Sequence, residues 1–198
     1  MADKFLEIAF TDSVCAAQAR YYGKAQGPRV VPERDVLTEE EIQFIRARDS
    51  FYLATVNPSG WPFIQHRGGE PGFLQVPSPT SLAFVDYRGN RQLLSAGNLT
   101  ASDRICLFLM DYPQRTRLKI LGQAQVVDAR EHPELVAKFA PAADRHLVER
   151  VFLIEVVAFD WNCPKHITPR YTEAEIAALI APLKQRIAEL EARLNADP

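Results

Sequence analysis

Gln65, His66, Arg67, Gly68 and Gly69 set an amide, an imidazole and a guanidinium at the end of an apolar run, beside two glycines. A guanidinium offers a planar fork of donors that matches phosphate bidentately, and open glycine N–H groups add further donors. A second group, Asp86-Tyr87-Arg88-Gly89-Asn90-Arg91-Gln92, places two arginines and two amides ahead of an expected helix, whose first N–H groups favour anions. A third, Arg115, Arg117 and Lys119, occupies alternate positions, which in a strand share one face. Each segment taken alone fits a solvated strand end or loop at least as well. Their common chemistry is the grip on an anion.

Other chemistries find little support. The chain has no G-x-G-x-x-G, P-loop or G-x-S-x-G segment, and His66, His132, His146 and His166 lack metal-ligand spacing. The 198 residues carry a formal charge of −2, which argues against nucleic acid or an anionic membrane as partner. No apolar run approaches the roughly 20 residues that cross a bilayer. The acidic N-terminal residues lack an apolar signal core. Cys15, Cys106 and Cys163 are odd in number and widely spaced. Together these features predict a cytoplasmic, reducing location and no metal site.

The elements that must position the candidates are legible from punctuation and period. Residues 11–22 predict a helix capped by Thr11 or Ser13 and stopped near Gly23, with a Pro- and charge-rich connector over Gly27–Asp35. Thr38 and Glu41 form a capping box for a helix to about Arg48. From Phe51 the period shortens. Strands are expected over 51–57 and 61–66 around Asn57-Pro58-Ser59-Gly60, and over 73–76 and 81–85 around Pro77-Ser78-Pro79-Thr80. A short helix over 92–99, strands over 104–110 and 116–128, a helix over 132–139 and a last strand over 151–159 complete the block. Strands at hairpin spacing with helices at the ends predict a small barrel. Residues 172–194 then place Ile176, Leu179, Ile180, Leu183, Ile187, Leu190 and Leu194 at helical intervals, with Pro182 among them. This stripe is expected to pack on its own barrel or a sister subunit, or to bind a partner helix.

Over roughly residues 40–162 the order of these pieces resembles the pyridoxamine 5′-phosphate oxidase-like family of FMN-binding split β-barrels. The resemblance rests on Leu53-Ala54-Thr55-Val56 with Gly60 and Pro62, and on Phe84 followed by Asn90-Arg91-Gln92. Asn98 with the 104–110 strand, and Arg117-Leu118-Lys119-Ile120-Leu121-Gly122, complete it. Three positions depart: the family's first arginine falls on Gln65, with Arg67 two residues later; its phosphate-site lysine is Gln92; an expected amide is Arg117. Trp161 is retained, but the Arg-Leu-His element of the true oxidases is absent from the segment ending at Arg170.

The resemblance implies a mainly β fold with flanking helices, a six-stranded antiparallel split barrel of the FMN-binding type. It divides the chain into an N-terminal helical extension (1–50), the barrel (51–162) and a C-terminal helical extension (163–198). It also implies FMN held by Gln65, His66, Arg67, Gly68, Tyr87, Asn90, Arg91, Gln92, Arg117, Lys119 and Trp161. Arg67, Arg91 and Arg117 would neutralise the phosphate. The flavin would lie at a homodimer interface, approached by Trp161, Lys165, His166 and Arg170. The implied activity is oxidoreduction of a small-molecule substrate, with NAD(P)H a possible donor. The alternative is a non-catalytic flavin, deazaflavin or haem binder or sensor.

Overall fold

The computed structural model describes residues 3–25, 31–161 and 164–196. Cys163 and the connector residues 27–30 lie outside that set. The chain divides into two compact units: residues 1–110 with 117–163, and residues 111–116 with 164–198.

In the first unit two helices, α1 (Asp3–Ala9) and α2 (Asp12–Tyr22), precede the barrel. The Thr11 hydroxyl accepts from the Val14 N–H to begin α2, and Gly23 ends it at φ 75°, a left-handed conformation that glycine adopts without steric cost. α1 falls within the helical extension implied for residues 1–50, though no cap or stop signal in the sequence sets its bounds. In α3 (Glu39–Arg46) the expected capping box forms: the Glu41 carboxylate accepts from the Thr38 backbone N–H at 2.8 Å and from its hydroxyl.

Seven strands follow: β1 (Ser50–Val56), β2 (Pro62–Gly68), β3 (Gln75–Ser78), β4 (Ser81–Tyr87), β5 (Arg104–Asp111), β6 (Thr116–Asp128) and β7 (Val148–Trp161). They make one sheet in the order β2-β1-β5-β6-β7-β4-β3. The split-barrel expectation holds, with the seven strands that the sequence pattern marks and one more than the six the resemblance implies, the short β3 joining β4 at the edge. Two short helices, α4 (Leu94–Asn98) and α5 (Pro133–Phe139), lie in the connections. The core lines the inner face: Phe51, Leu53, Leu107, Leu109, Leu118 and Ile120 are all nearly inaccessible, joined by Phe84 and Phe152. A second cluster packs α5 onto β4 and β7 through Ala83, Val136, Phe139 and Val151.

The sheet ends at β2 and β3 instead of closing by backbone hydrogen bonds. Side chains close it. Arg67 on β2 pairs with Asp86 on β4, and its guanidinium lies 5.5 Å and 5.3 Å from the rings of Phe84 and Phe152. Gly122 sits at a register shift between β6 and β7, where an added Cβ would meet the Glu155 carbonyl oxygen at 2.7 Å. Only glycine lets the two backbones approach so closely.

The second unit contains α6 (Glu173–Ala196), which carries the predicted apolar stripe and includes Pro182. Among the described residues no helix is long and apolar enough to cross a membrane.

Candidate functional site

Strand alternation sorts the predicted residues onto different faces. β2 runs on through Gly68, two residues beyond the expected end, because Arg67 and Gly68 still pair with Phe51 and Ser50 of β1. Gln65 pairs with Leu53 and Arg67 with Phe51, so both look inward. His66 pairs with Tyr52 on the outer face, where the two rings meet edge-on at 5.6 Å.

Arg67 is not a free cation. Asp86 takes its Nη1 at one carboxylate oxygen and the Arg150 Nε at the other, the latter at 2.8 Å, while Arg150 also donates to Glu149 at 3.0 Å. The Arg67 and Asp86 side chains are 17% and 11% exposed, so the pair is largely out of water. The Arg67 Nε is buried without a hydrogen-bond partner. Arg67 therefore spends its charge on the barrel seam, which a spacing argument could not reveal.

A cavity of about 690 Å³ opens beside this seam, lined among others by Arg67, Gly68, Gly69, Phe84 and Tyr87. It also carries Glu70, Asp86 and Asp144. Three carboxylates against one paired guanidinium do not suit a phosphate. Burial, helped by the Asp144 charge, pushes the Tyr87 phenol up, so it remains a protonated donor at this wall.

The Asn90–Gln92 segment forms an exposed loop. The Asn90 side-chain Oδ1 accepts from the Gln92 backbone N–H at 3.0 Å, while Arg91 and Leu93 adopt left-handed φ of 62° and 53°. For non-glycine residues that conformation is uncommon and costs roughly 1–3 kcal/mol, so surrounding structure must hold it. Leu93 delays the helix: α4 starts at Leu94 and has five residues, too few for the anion-favouring N-terminus expected from the sequence. The loop is anchored just beyond its end. The buried Ser95 hydroxyl donates to Gln65 Oε1 at 2.9 Å, and the buried Asn98 Nδ2 donates to Thr55 Oγ1 at 2.9 Å. The sequence pattern does not single out Ser95, since a serine within a short helix carries no signal until its partner is seen.

Arg117 and Lys119 do share one face of β6, with Leu118 and Ile120 turned to the core. Arg115 does not join them: it lies in the turn before β6 at φ 54°. The Arg117 guanidinium lies 5.6 Å from the Phe108 ring, and its buried Nε has no hydrogen-bond partner. Phe108 pairs with Tyr52, so His66, Tyr52, Phe108 and Arg117 form one row across the outer face. Lys119 is tied to Asp160 at 2.7 Å and covers the Phe5 ring at 4.5 Å. Burial raises the Cys106 thiol despite a contribution from Lys119, which leaves it a poor nucleophile at neutral pH.

Trp161 is occupied by the fold. Its Nε1 donates to Glu41 Oε1 at 2.6 Å, and its ring packs on Phe44 at 4.8 Å. Burial pushes the Glu41 carboxyl up, but the bonds from Thr38 and Trp161 outweigh it and hold the group below its usual range. In the second unit Lys165 and His166 are exposed, and Arg170 lies 5.0 Å from the Tyr112 ring. No cluster of three or more His, Cys, Asp or Glu suited to a metal occurs among the described residues.

The family model described as pyridoxamine 5′-phosphate oxidase matches residues 37–158, which run from the segment before α3 through nearly all of β7. The chain belongs to the pyridoxamine 5′-phosphate oxidase family. Among solved structures, a candidate pyridoxamine 5′-phosphate oxidase from Lactobacillus delbrueckii is 21% identical with a TM-score of 0.50. The likeness covers 63% of this chain and 93% of that one, and shows the shared fold. HupZ of Group A Streptococcus is 14% identical over 68% of this chain and 99% of that one, with a TM-score of 0.49. A Clostridium acetobutylicum protein related to general stress protein 26 is 14% identical, covers 69% of this chain and 94% of that one, and gives 0.47. No curated protein matches. α6 lies wholly outside the family match.

Proposed function

We propose that the protein binds FMN between two copies of the chain and acts as an oxidoreductase on a small-molecule substrate, with NAD(P)H as a candidate donor. One observation carries this reading beyond family membership. The outer face that carries this row leaves apolar surface open, with Ile64 at 64% and Tyr52 at 40% exposure, and the row ends at a buried guanidinium nitrogen with no partner. Apolar surface of this kind beside an unsatisfied donor fits a covered, ligand-bearing interface better than a free face.

The residues fit the group by charge and by attachment. Arg91 stands in an exposed, strained loop, and Arg117 stands on the outer face. The loop's anchors, Gln65 and Thr55, belong to the inner face, whereas Arg117 on β6 lies over Phe108 on the outer face. The Arg117 that meets this chain's loop would come from the second copy. In this reading Asn90, Arg91 and Gln92 hold the phosphate from one side and Arg117 from the other. His66 and the Gly68 backbone meet the ring system, and Tyr87 supplies a protonated donor nearby. Bound flavin would supply the hydride and electron chemistry, while the protein orients it and excludes water. Arg67 and Trp161 support this site from the seam and from α3 without touching the flavin. The setting would be the cytoplasm.

The test is direct. The purified protein should be yellow, should release FMN on denaturation, should bleach with NAD(P)H and should recover colour in air. A colourless preparation that also fails to bind added FMN overturns the proposal. Bound FMN that no reductant bleaches would leave a flavin-binding protein without turnover.

A further inference from the structure

α6 presents an exposed apolar seam that the family match does not reach. Its residues fall on an alternating spacing of four and three: Ile176, Ile180, Leu183, Ile187, Leu190 and Leu194. In heptad terms Ile180, Ile187 and Leu194 take position a, and Ile176, Leu183 and Leu190 take position d. The central four, Ile180, Leu183, Ile187 and Leu190, set isoleucine at a and leucine at d, the combination that favours two parallel strands, while Ile176 and Leu194 at the ends reverse it. Leu183 is 63% and Leu194 is 80% exposed, so the seam is left open within its own unit.

The flanking charges agree with that geometry. In a parallel pair, position g of one helix faces the following position e of the other. Here Arg186 at g faces Glu191 at e, and two-fold symmetry forms that contact twice. Leu179 at g faces Lys184 at e, where the lysine stem can cover the leucine. An antiparallel pair would set g against g, and two of the three g residues, Arg186 and Arg193, are arginines. Pro182 falls at position c, away from the seam. In the free chain Arg186 turns back to Glu189 at 3.0 Å, an exposed contact of little energetic value that an intermolecular partner can replace.

We infer that α6 pairs in parallel and in register with α6 of a second copy, through the Ile180, Leu183, Ile187 and Leu190 seam and reciprocal Arg186–Glu191 contacts. This stands apart from flavin binding and from the barrel's outer face.

The full-length protein carrying Leu190→Cys tests it against Gln185→Cys, whose position f points away from the seam. An in-register pair places the two introduced thiols side by side, and oxidative trapping reads even a weakly populated pair. The native cysteines contribute the same background to both variants. Leu190→Cys should form disulfide-linked dimer at least ~10-fold faster than Gln185→Cys. Adding Arg186→Glu should slow that cross-link severalfold, and adding Glu191→Arg as well should restore it. Equal rates at positions 185 and 190 overturn the pairing. Failure of the double reversal to restore the rate overturns its parallel register. FMN content measured on the same samples separates either failure from a failure of the flavin proposal.

Discussion

At the β2–β4 seam, Arg67 is mostly withdrawn from water, shares Asp86 with Arg150, and lies over two phenylalanine rings. In the loop after β4, Arg91 is exposed, sits at φ 62°, and has no ionic partner among the described residues. The same guanidinium thus serves as a structural tie in one place and stands ready for an anion in the other. The difference follows from desolvation. A buried charge must be matched when the chain folds, whereas an exposed one can wait for a ligand. The strained backbone that presents Arg91 is held by Ser95 and Asn98, two buried side chains that reach the inner face of β1 and β2.

The strongest way to break this contrast is at the seam. Asp86→Ala should lower unfolding free energy by about 3–5 kcal/mol, because it strands the largely buried Arg67 guanidinium and takes one of two carboxylates from Arg150. A loss under about 1 kcal/mol in urea denaturation would show that the seam is not structural. Arg91→Ala should do the reverse. FMN affinity, followed by quenching of flavin fluorescence, should fall roughly 10- to 100-fold for one lost charge-assisted contact, with stability unchanged within about 0.5 kcal/mol. Equal affinity in the variant would remove Arg91 from the phosphate site. Ser95→Ala should cost about 1–2 kcal/mol by leaving Gln65 unsatisfied, and should weaken FMN less than Arg91→Ala does. A larger FMN effect from Ser95→Ala would place Ser95 in contact with the ligand.

The smallest effect concerns pH. Glu41 ionises below its usual range when folded, so its contribution is complete above the unfolded value near ~4.3 and is lost as pH falls through the folded value. The difference in urea midpoint between the native chain and Glu41→Gln should stay constant from about pH 7 to 5 and shrink below about pH 4. A difference independent of pH over that range would assign the Glu41 contacts no net preference for the charged form.

Local rules made much of the fold legible. The Thr38–Glu41 box, the Gly23 stop and most of the strand-rich block are fixed by neighbours in sequence, and the structure places them close to where the pattern does. The roles of the candidate residues were less legible because alternation tells which residues share a face, not what lies opposite. Arg117 and Lys119 share the expected face, yet one is capped by an aromatic ring and the other is held by Asp160. Arg67 and Trp161 found their partners, Asp86 and Glu41, on elements that only the tertiary fold brings near. Leu93 shortened the helix expected over 92–99 through a backbone conformation that its residue type does not announce.

The Arg67–Asp86 tie also bears on the order in which the molecule assembles. β2 and β4 stand toward opposite ends of the sheet order, yet their tie closes a chain segment of only 19 residues. The β1–β5 ladder, where Ala54 meets Cys106, must close a much longer loop. Loop-closure entropy grows with the logarithm of length, so the seam is the less costly contact to form first. Folding by that route would fasten the open edges through side chains before the middle of the sheet zips. Asp86→Ala would then slow refolding more than it speeds unfolding.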